Sequence, residues 1–168
     1  MTQIHYLENL SVGGCWFSEE RVVTEADVHQ FAEMTGDFDP LHIDPEFART
    51  TPFGRQIAHG LLGLSFLAGL SSQAPRVSTV AFVRIDQWRF VKPIFLGDTV
   101  RVETRVVDLQ NHGRKYGQVT WKRRLLNQND EVVQEGLFVT IVNRESRQVF
   151  ECDTTVSAAV SAPVRRAA

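Results

Sequence analysis

Cysteine is scarce in this chain. The two present, Cys15 and Cys152, form neither a CxxC pair nor a set with histidine at zinc spacing. A disulfide framework and a structural zinc site are therefore not expected, and both thiols are read as buried or idle. An excess of charge of one sign is also missing. The formal net charge of −2 gives no electrostatic basis for holding nucleic acid or an anionic membrane. Arginine and aromatic residues do meet at Trp88-Arg89-Phe90 and Trp121-Lys122-Arg123-Arg124, but inside alternating patterns that read as faces of a sheet. A basic start followed by an apolar run is absent from Met1-Thr2-Gln3-Ile4-His5. No signal peptide is read there, and a reducing cytoplasm is the expected compartment.

A membrane-spanning run is lacking as well. Between Arg55 and Arg76 the one ionisable side chain is that of His59, over about the length that a bilayer requires. Gln56, Ser71, Ser72, Gln73 and Pro75 make its ends polar, however, and leave Leu61 to Leu70 as the apolar part. That is too short to span. A helix apolar on every side is one buried in protein, here expected to be wrapped by a sheet.

What remains is an ordinary soluble composition. The 168 residues, 43% apolar and 23% charged, suit one domain with or without a tail. Cys15 to Val23 reads as an edge strand or an extended lead-in. Thr24 is a good N-cap, with Glu25 and Asp27 in the first turn, and Val28, Phe31, Ala32 and Thr35 follow the helical repeat. The spacing predicts an amphipathic helix over 25–34, ended by Gly36. Pro40 predicts a loop over 37–42, and Pro45 opens a short helix through Ala48. The buried helix follows over 60–72.

Beyond Pro75 the period changes to two. Val80, Phe82, Arg84, Asp86, Trp88 and Phe90 are expected on one face, with Ala81, Val83 and Ile85 on the other. Pro93 and Gly97-Asp98 mark a turn. Val100, Val102 and Val106 alternate with charged residues. Asn111-His112-Gly113 is a hairpin turn before a strand over 115–126 that sets Val119 and Trp121 on one face, and 132–142 completes the set. Three long antiparallel strands after a buried helix imply an α+β meander curling round it. The domain is expected over 1–150. Residues 151–168, rich in Ala, Val, Ser and Thr, form a C-terminal tail that is either flexible or packed on a partner subunit.

Two segments carry the chemistry. Asp37-Phe38-Asp39-Pro40-Leu41-His42 places a carboxylate and an imidazole five residues apart, and Ile57-Ala58-His59-Gly60 supplies a glycine at the start of the apolar helix. Base, acid and backbone donor are the parts needed to move water across a polarised double bond. Asp37, Asp39, His42 and Asp44 also suggest a metal cluster. The sixth position of a calcium loop is His42 instead of glycine, and no second histidine is suitably spaced, so no metal is expected. His59 is read as structural, holding the loop before the helix.

These residues, with Phe31-Ala32, Gly36, Asp44-Pro45, Phe47-Ala48, Phe53 and the later Phe90, Pro93 and Gly97-Asp98, resemble the MaoC-like (R)-specific enoyl-CoA hydratase family over roughly residues 10–145. The resemblance implies a hot-dog fold, with an antiparallel sheet round a long central helix. It implies that Asp37 and His42 bind the catalytic water and that the amide of Gly60 holds the thioester oxygen. It implies an acyl-CoA substrate, no cofactor, and a homodimer or higher homo-oligomer with ligand at the subunit interface.

Two departures from the family pattern stand out. Asp39 replaces the usual Asn, placed either to orient His42 or to repel the charge on Asp37, and Ala68 stands where a serine is common. Two rival functions remain open: a hot-dog thioesterase, disfavoured because no Asp or Glu lies between Gln56 and Pro75, and a non-catalytic acyl-CoA-binding subunit.

Overall fold

The computed structural model describes residues 3–145; the tail expected over 151–168 lies outside them. Among the described residues a short 3-10 turn (Leu7–Asn9), four α-helices and six strands follow an order that puts the helices before the long strands. β1 (Cys15–Phe17) and β2 (Arg21–Val22) precede α1 (Glu25–Thr35), α2 (Pro40–Ile43), α3 (Pro45–Arg49) and α4 (Gly60–Ser71). The long strands β3 (Thr79–Phe90), β4 (Thr99–His112), β5 (Tyr116–Leu126) and β6 (Val132–Asn143) follow. No helix among the described residues is long and apolar enough to cross a membrane.

The expected meander is β4-β5-β6, and β3 closes the sheet by pairing with β6 rather than with β4, giving the order β1-β4-β5-β6-β3. Alternation sets the inner face. Val100, Val102 and Val106 of β4 and Val119, Trp121 and Leu125 of β5 are essentially fully buried. Against them packs α4 through Leu62 and Leu67. Gly63 lets the helix lie close on the sheet, since a Cβ there would collide with Gln134 and Ile94.

α1 forms as its caps dictate. The Thr24 hydroxyl accepts from the Asp27 amide at 3.1 Å, the Asp27 carboxylate accepts from the Thr24 amide at 2.9 Å, and Gly36 ends the helix in the left-handed region at φ 80°.

Four expectations need correction. The loop expected over 37–42 stops at Asp39, because Pro40 sits at the first position of a one-turn helix, where its missing N–H costs nothing. The strict alternation expected for β3 is broken by register shifts between Thr79 and Ala81, Phe82 and Arg84, and Asp86 and Arg89. Gln87 takes φ 54° within the last. Arg84 and Asp86 therefore leave the face shared with Phe82 and Trp88, and they pair with each other at 2.8 Å. The hairpin turn starts at Gly113, since β4 continues through His112. Finally, α4 is not enclosed on all sides in a single chain: Leu61, Ser65, Ala68 and Gly69 form an exposed stripe.

Candidate active site

Three chain segments converge at the N-terminus of α4. The left-handed turn at Gly36 sends the chain out of α1 and brings Asp37 back over the helix start. α2 carries His42, and the segment 57–60 is tied down where the Ala58 amide donates to the Ile94 carbonyl at 2.7 Å. One carboxylate oxygen of Asp37 and one nitrogen each of His42 and His59 lie within 4.8 Å of one another. Asp37 is exposed, His42 half-buried and His59 buried.

Hydrogen bonds set the orientation of both rings. His42 Nδ1 lies 2.8 Å from the Ile57 carbonyl. A carbonyl only accepts, so Nδ1 carries the proton and Nε2 keeps the lone pair. His59 Nε2 lies 2.9 Å from the Asp37 carbonyl, and its Nδ1 is buried with no partner. The two rings pack together with centroids 3.9 Å apart and planes 35° from parallel, and Phe31 closes the other side of His59 at 5.0 Å.

A carboxylate and two imidazoles also make a metal-ligand set, and His59 is the second histidine that spacing along the chain did not reveal. Metal ligation aims the in-plane lone pairs of both rings at one point. Here the rings overlap at a tilt and each has one nitrogen tied to a backbone carbonyl, so this arrangement fits water and substrate better than an ion.

Asp39 does not orient His42. Its carboxylate accepts from the Leu41 amide at 2.8 Å and so caps α2, a task that asparagine performs equally well. Its support of the site is thus indirect: it holds the turn that presents His42. Ser65 gives its hydroxyl to the Leu61 carbonyl at 2.9 Å, and Ala68 lies on the exposed stripe.

Gly60 is the first residue of α4, where a helix has no carbonyl one turn back to take the amide. The helix dipole adds partial positive charge at this point. A Cβ here would come 2.8 Å from Cε1 of Phe90, so any other residue displaces that ring. Gln134 of β6 fixes the same residue from below, its Nε2 donating to the Gly60 carbonyl at 2.9 Å. Sequence reasoning missed Gln134; the available signal was a lone amide following two valines in the last strand.

Two adjoining cavities of about 310 and 300 Å³ meet at His42, Gly60 and Phe90. The first continues past Phe53, Pro93 and Gln134, and the second holds Asp37 and His59. A mostly apolar trough thus runs up to a polar cluster beside a free helix amide.

A sheet wrapped round one central helix defines the hot-dog fold expected above. The family model described as MaoC-like domain matches residues 14–128, and the chain belongs to that family. A 3-hydroxybutyryl-CoA dehydratase from Methylorubrum extorquens is 38% identical over 110 residues, 64% of this chain and 67% of that protein. An (R)-specific enoyl-CoA hydratase from Aeromonas caviae is 41% identical over 86 residues, 51% of this chain and 63% of that protein. Among solved structures, an R-hydratase from Pseudomonas aeruginosa superposes with a TM-score of 0.72 at 26% identity, covering 86% of this chain and 89% of that one.

Proposed function

We propose that the protein is a hydro-lyase that adds water to a trans-2-enoyl-CoA, or dehydrates the matching (R)-3-hydroxyacyl-CoA, with Asp37 and His42 as catalytic residues. The observation that carries this reading is the cluster of Asp37, His42 and His59 within 4.8 Å, set beside the Gly60 amide. With Nδ1–H given to Ile57, neutral His42 offers a lone pair at Nε2, and a water bound there has its second hydrogen directed to the Asp37 carboxylate. One of the two groups takes a proton as the water oxygen bonds to C3. The C2–C3 π electrons shift to C2 and the thioester oxygen, where the Gly60 amide and the dipole behind it hold the growing charge. A proton is then returned to C2, and both groups end as they began. His59 is a positioning residue, which ties the Asp37 backbone to the helix start and backs the His42 ring.

Loss of enoyl-thioester absorbance on mixing with the protein tests the assignment. Asp37→Asn and His42→Ala should each lower kcat/KM by about a hundredfold to ten-thousandfold. Full activity in both would remove the assignment.

The working form is proposed to be a homodimer. Among the described residues β3 stands at the sheet edge with β6 as its single neighbour, and Val80, Phe82 and Val83 on it are each roughly half exposed. Natural proteins seldom leave so long an apolar edge open, and pairing two such edges gives one continuous sheet and also brings cover to the exposed stripe of α4. Sedimentation at micromolar concentration should give a dimer or larger; a monomer would contradict the pairing. The expected cytoplasmic location belongs to the same reading, since its substrate is a soluble CoA thioester.

A further inference from the structure

The inner face of the sheet carries a second polar feature, one row beyond the cavity floor. Register sets Val102, Leu125, Gln134 and Phe90 side by side across β4, β5, β6 and β3, and the last two line the cavity. The next inward row is Thr104, Arg123 and Gly136. Trp88 lies over Gly136, where a Cβ would come 2.6 Å from its indole. On this row Thr104 Oγ1, Arg123 Nε and Trp88 Nε1 are all buried, and none has a hydrogen-bond partner. Native structures leave few such groups, and here three share one row. Arg and Trp can only donate and Thr can donate as well, so what the row lacks is an acceptor.

The charge is the stronger indication. Arg123 lies over the rings of Phe138 at 4.8 Å and Trp121 at 5.7 Å, and no carboxylate pairs with it among the described residues. The acids nearest in register, Glu103 and Glu135, lie on the outer face. There Arg105 holds Glu103 at 3.2 Å, Lys122 holds Glu135 at 3.2 Å, and Arg124 reaches both at 3.5 and 3.4 Å. Burial alone pushes the Arg123 guanidinium down to about 10. Aromatic rings offset only part of the cost of an inward cation.

We propose that the row of Thr104, Arg123 and Trp88, one step along the strands from the Phe90 and Gln134 that line the acyl cavity, is a carboxylate subsite, so that the preferred substrate is a short enoyl-CoA with a second, distal carboxylate. The proposal rests on the hydratase reading above. A thioester held at Gly60 lies over Phe90 and Gln134. The far end of a short acyl chain then reaches one row on, a step of roughly 7 Å along the strands. There the carboxylate accepts from Arg123 Nε and Trp88 Nε1 and takes the Thr104 hydroxyl as a third donor.

The test compares five- and six-carbon trans-2-enoyl-CoA esters ending in carboxylate with alkyl esters of equal length, using the full chain and its Arg123→Met and Arg123→Gln variants. The wild type should prefer the dicarboxylic esters in kcat/KM by at least about tenfold. Both variants should lose that preference and keep hydration of the alkyl esters. Both should also fold, because Arg123 is half-buried and makes no ion pair among the described residues that a neutral side chain would forfeit. Equal use of the two series by the wild type, or an equal loss on both series in the variants, overturns the subsite. If no protein hydrates any ester, the hydratase reading fails, and calorimetric binding of a dicarboxylic acyl-CoA still decides the subsite. Affinity weaker by about tenfold in Arg123→Met supports it, and unchanged affinity overturns it.

Discussion

Replacing Gln134 with leucine should move stability and activity in different directions. Gln134 is 2% exposed, its Nε2 donates to the Gly60 carbonyl at 2.9 Å, and its Oε1 is buried without a partner. Loss of the one bond costs about 0.5–1.5 kcal/mol, and removal of an orphaned buried acceptor gains about 1–3 kcal/mol. The Gly60 carbonyl is not stranded by the change, since a helix carbonyl also accepts from an amide one turn on. Leucine is close in size, so packing adds little. The net effect runs from a loss of about 0.5 to a gain of about 2.5 kcal/mol, or roughly −2 to +10 °C in Tm for a chain of this length. Catalysis should suffer all the same. The amide bond of Gln134 ties the first turn of α4 to β6, and a donor displaced by about 1 Å can cost up to a hundredfold in rate. Melting followed by circular dichroism, beside enoyl-thioester absorbance, should show Tm held or raised with kcat/KM down by about tenfold to a hundredfold. A fall in Tm of more than about 5 °C would refute the stability reasoning, and unchanged kcat/KM would refute the positioning role.

The other expectations are narrower. Asp39→Asn should keep its cap on α2 and leave kcat/KM within about twofold, whereas Asp39→Ala should cost about 1 kcal/mol locally and lower kcat/KM by loosening His42, as thermal melts and initial rates will show. Gly60→Ala should displace the Phe90 ring, 2.8 Å from the added carbon, and raise KM for the enoyl thioester more than it lowers Tm, because Phe90 is 56% exposed and can swing aside. Burial works against the charge on Glu135, yet the hydrogen bond and charge of Lys122, with Arg124 and Arg89, hold its carboxyl below the usual value of 4.5. With a folded value below the unfolded one, its contribution is present above that unfolded value and lost as pH falls through the folded one. Glu135→Gln should therefore flatten the acid end of a Tm-against-pH profile and leave the neutral end nearly parallel to the parent; an unchanged acid slope would count against the linkage.

What could be read from residues alone was whatever is local. The Thr24 cap, the helical repeat through Val28 and Phe31 and the stop at Gly36 lie within one short segment, and α1 forms there as expected. Asp37, His42 and Gly60 belong to two such segments, and the cavities bring all three together. His59 escaped the metal comparison because its contact with Asp37 spans 22 residues, too far for any spacing rule. The tie of Gln134 to Gly60 spans 74. Both contacts depend on where α4 settles on the sheet, which is a matter of packing.

The Thr104–Arg123–Trp88 row was hidden for a further reason. Counting in twos along β3 puts Arg84 and Trp88 on the same side, and the bulge at Gln87, with φ 54°, is what turns Trp88 inward over Gly136 while Arg84 stays outside. Inward placement of Arg123 does follow from simple alternation with Trp121 and Leu125. A pattern rule nevertheless assigns a charged residue in a strand to solvent, since burial of an unpaired charge is normally too costly. Here the Arg123 side chain is half-buried on the inner face over Phe138 and Trp121, with no acid to meet it among the described residues, and an anionic substrate group is the partner that the proposed subsite supplies.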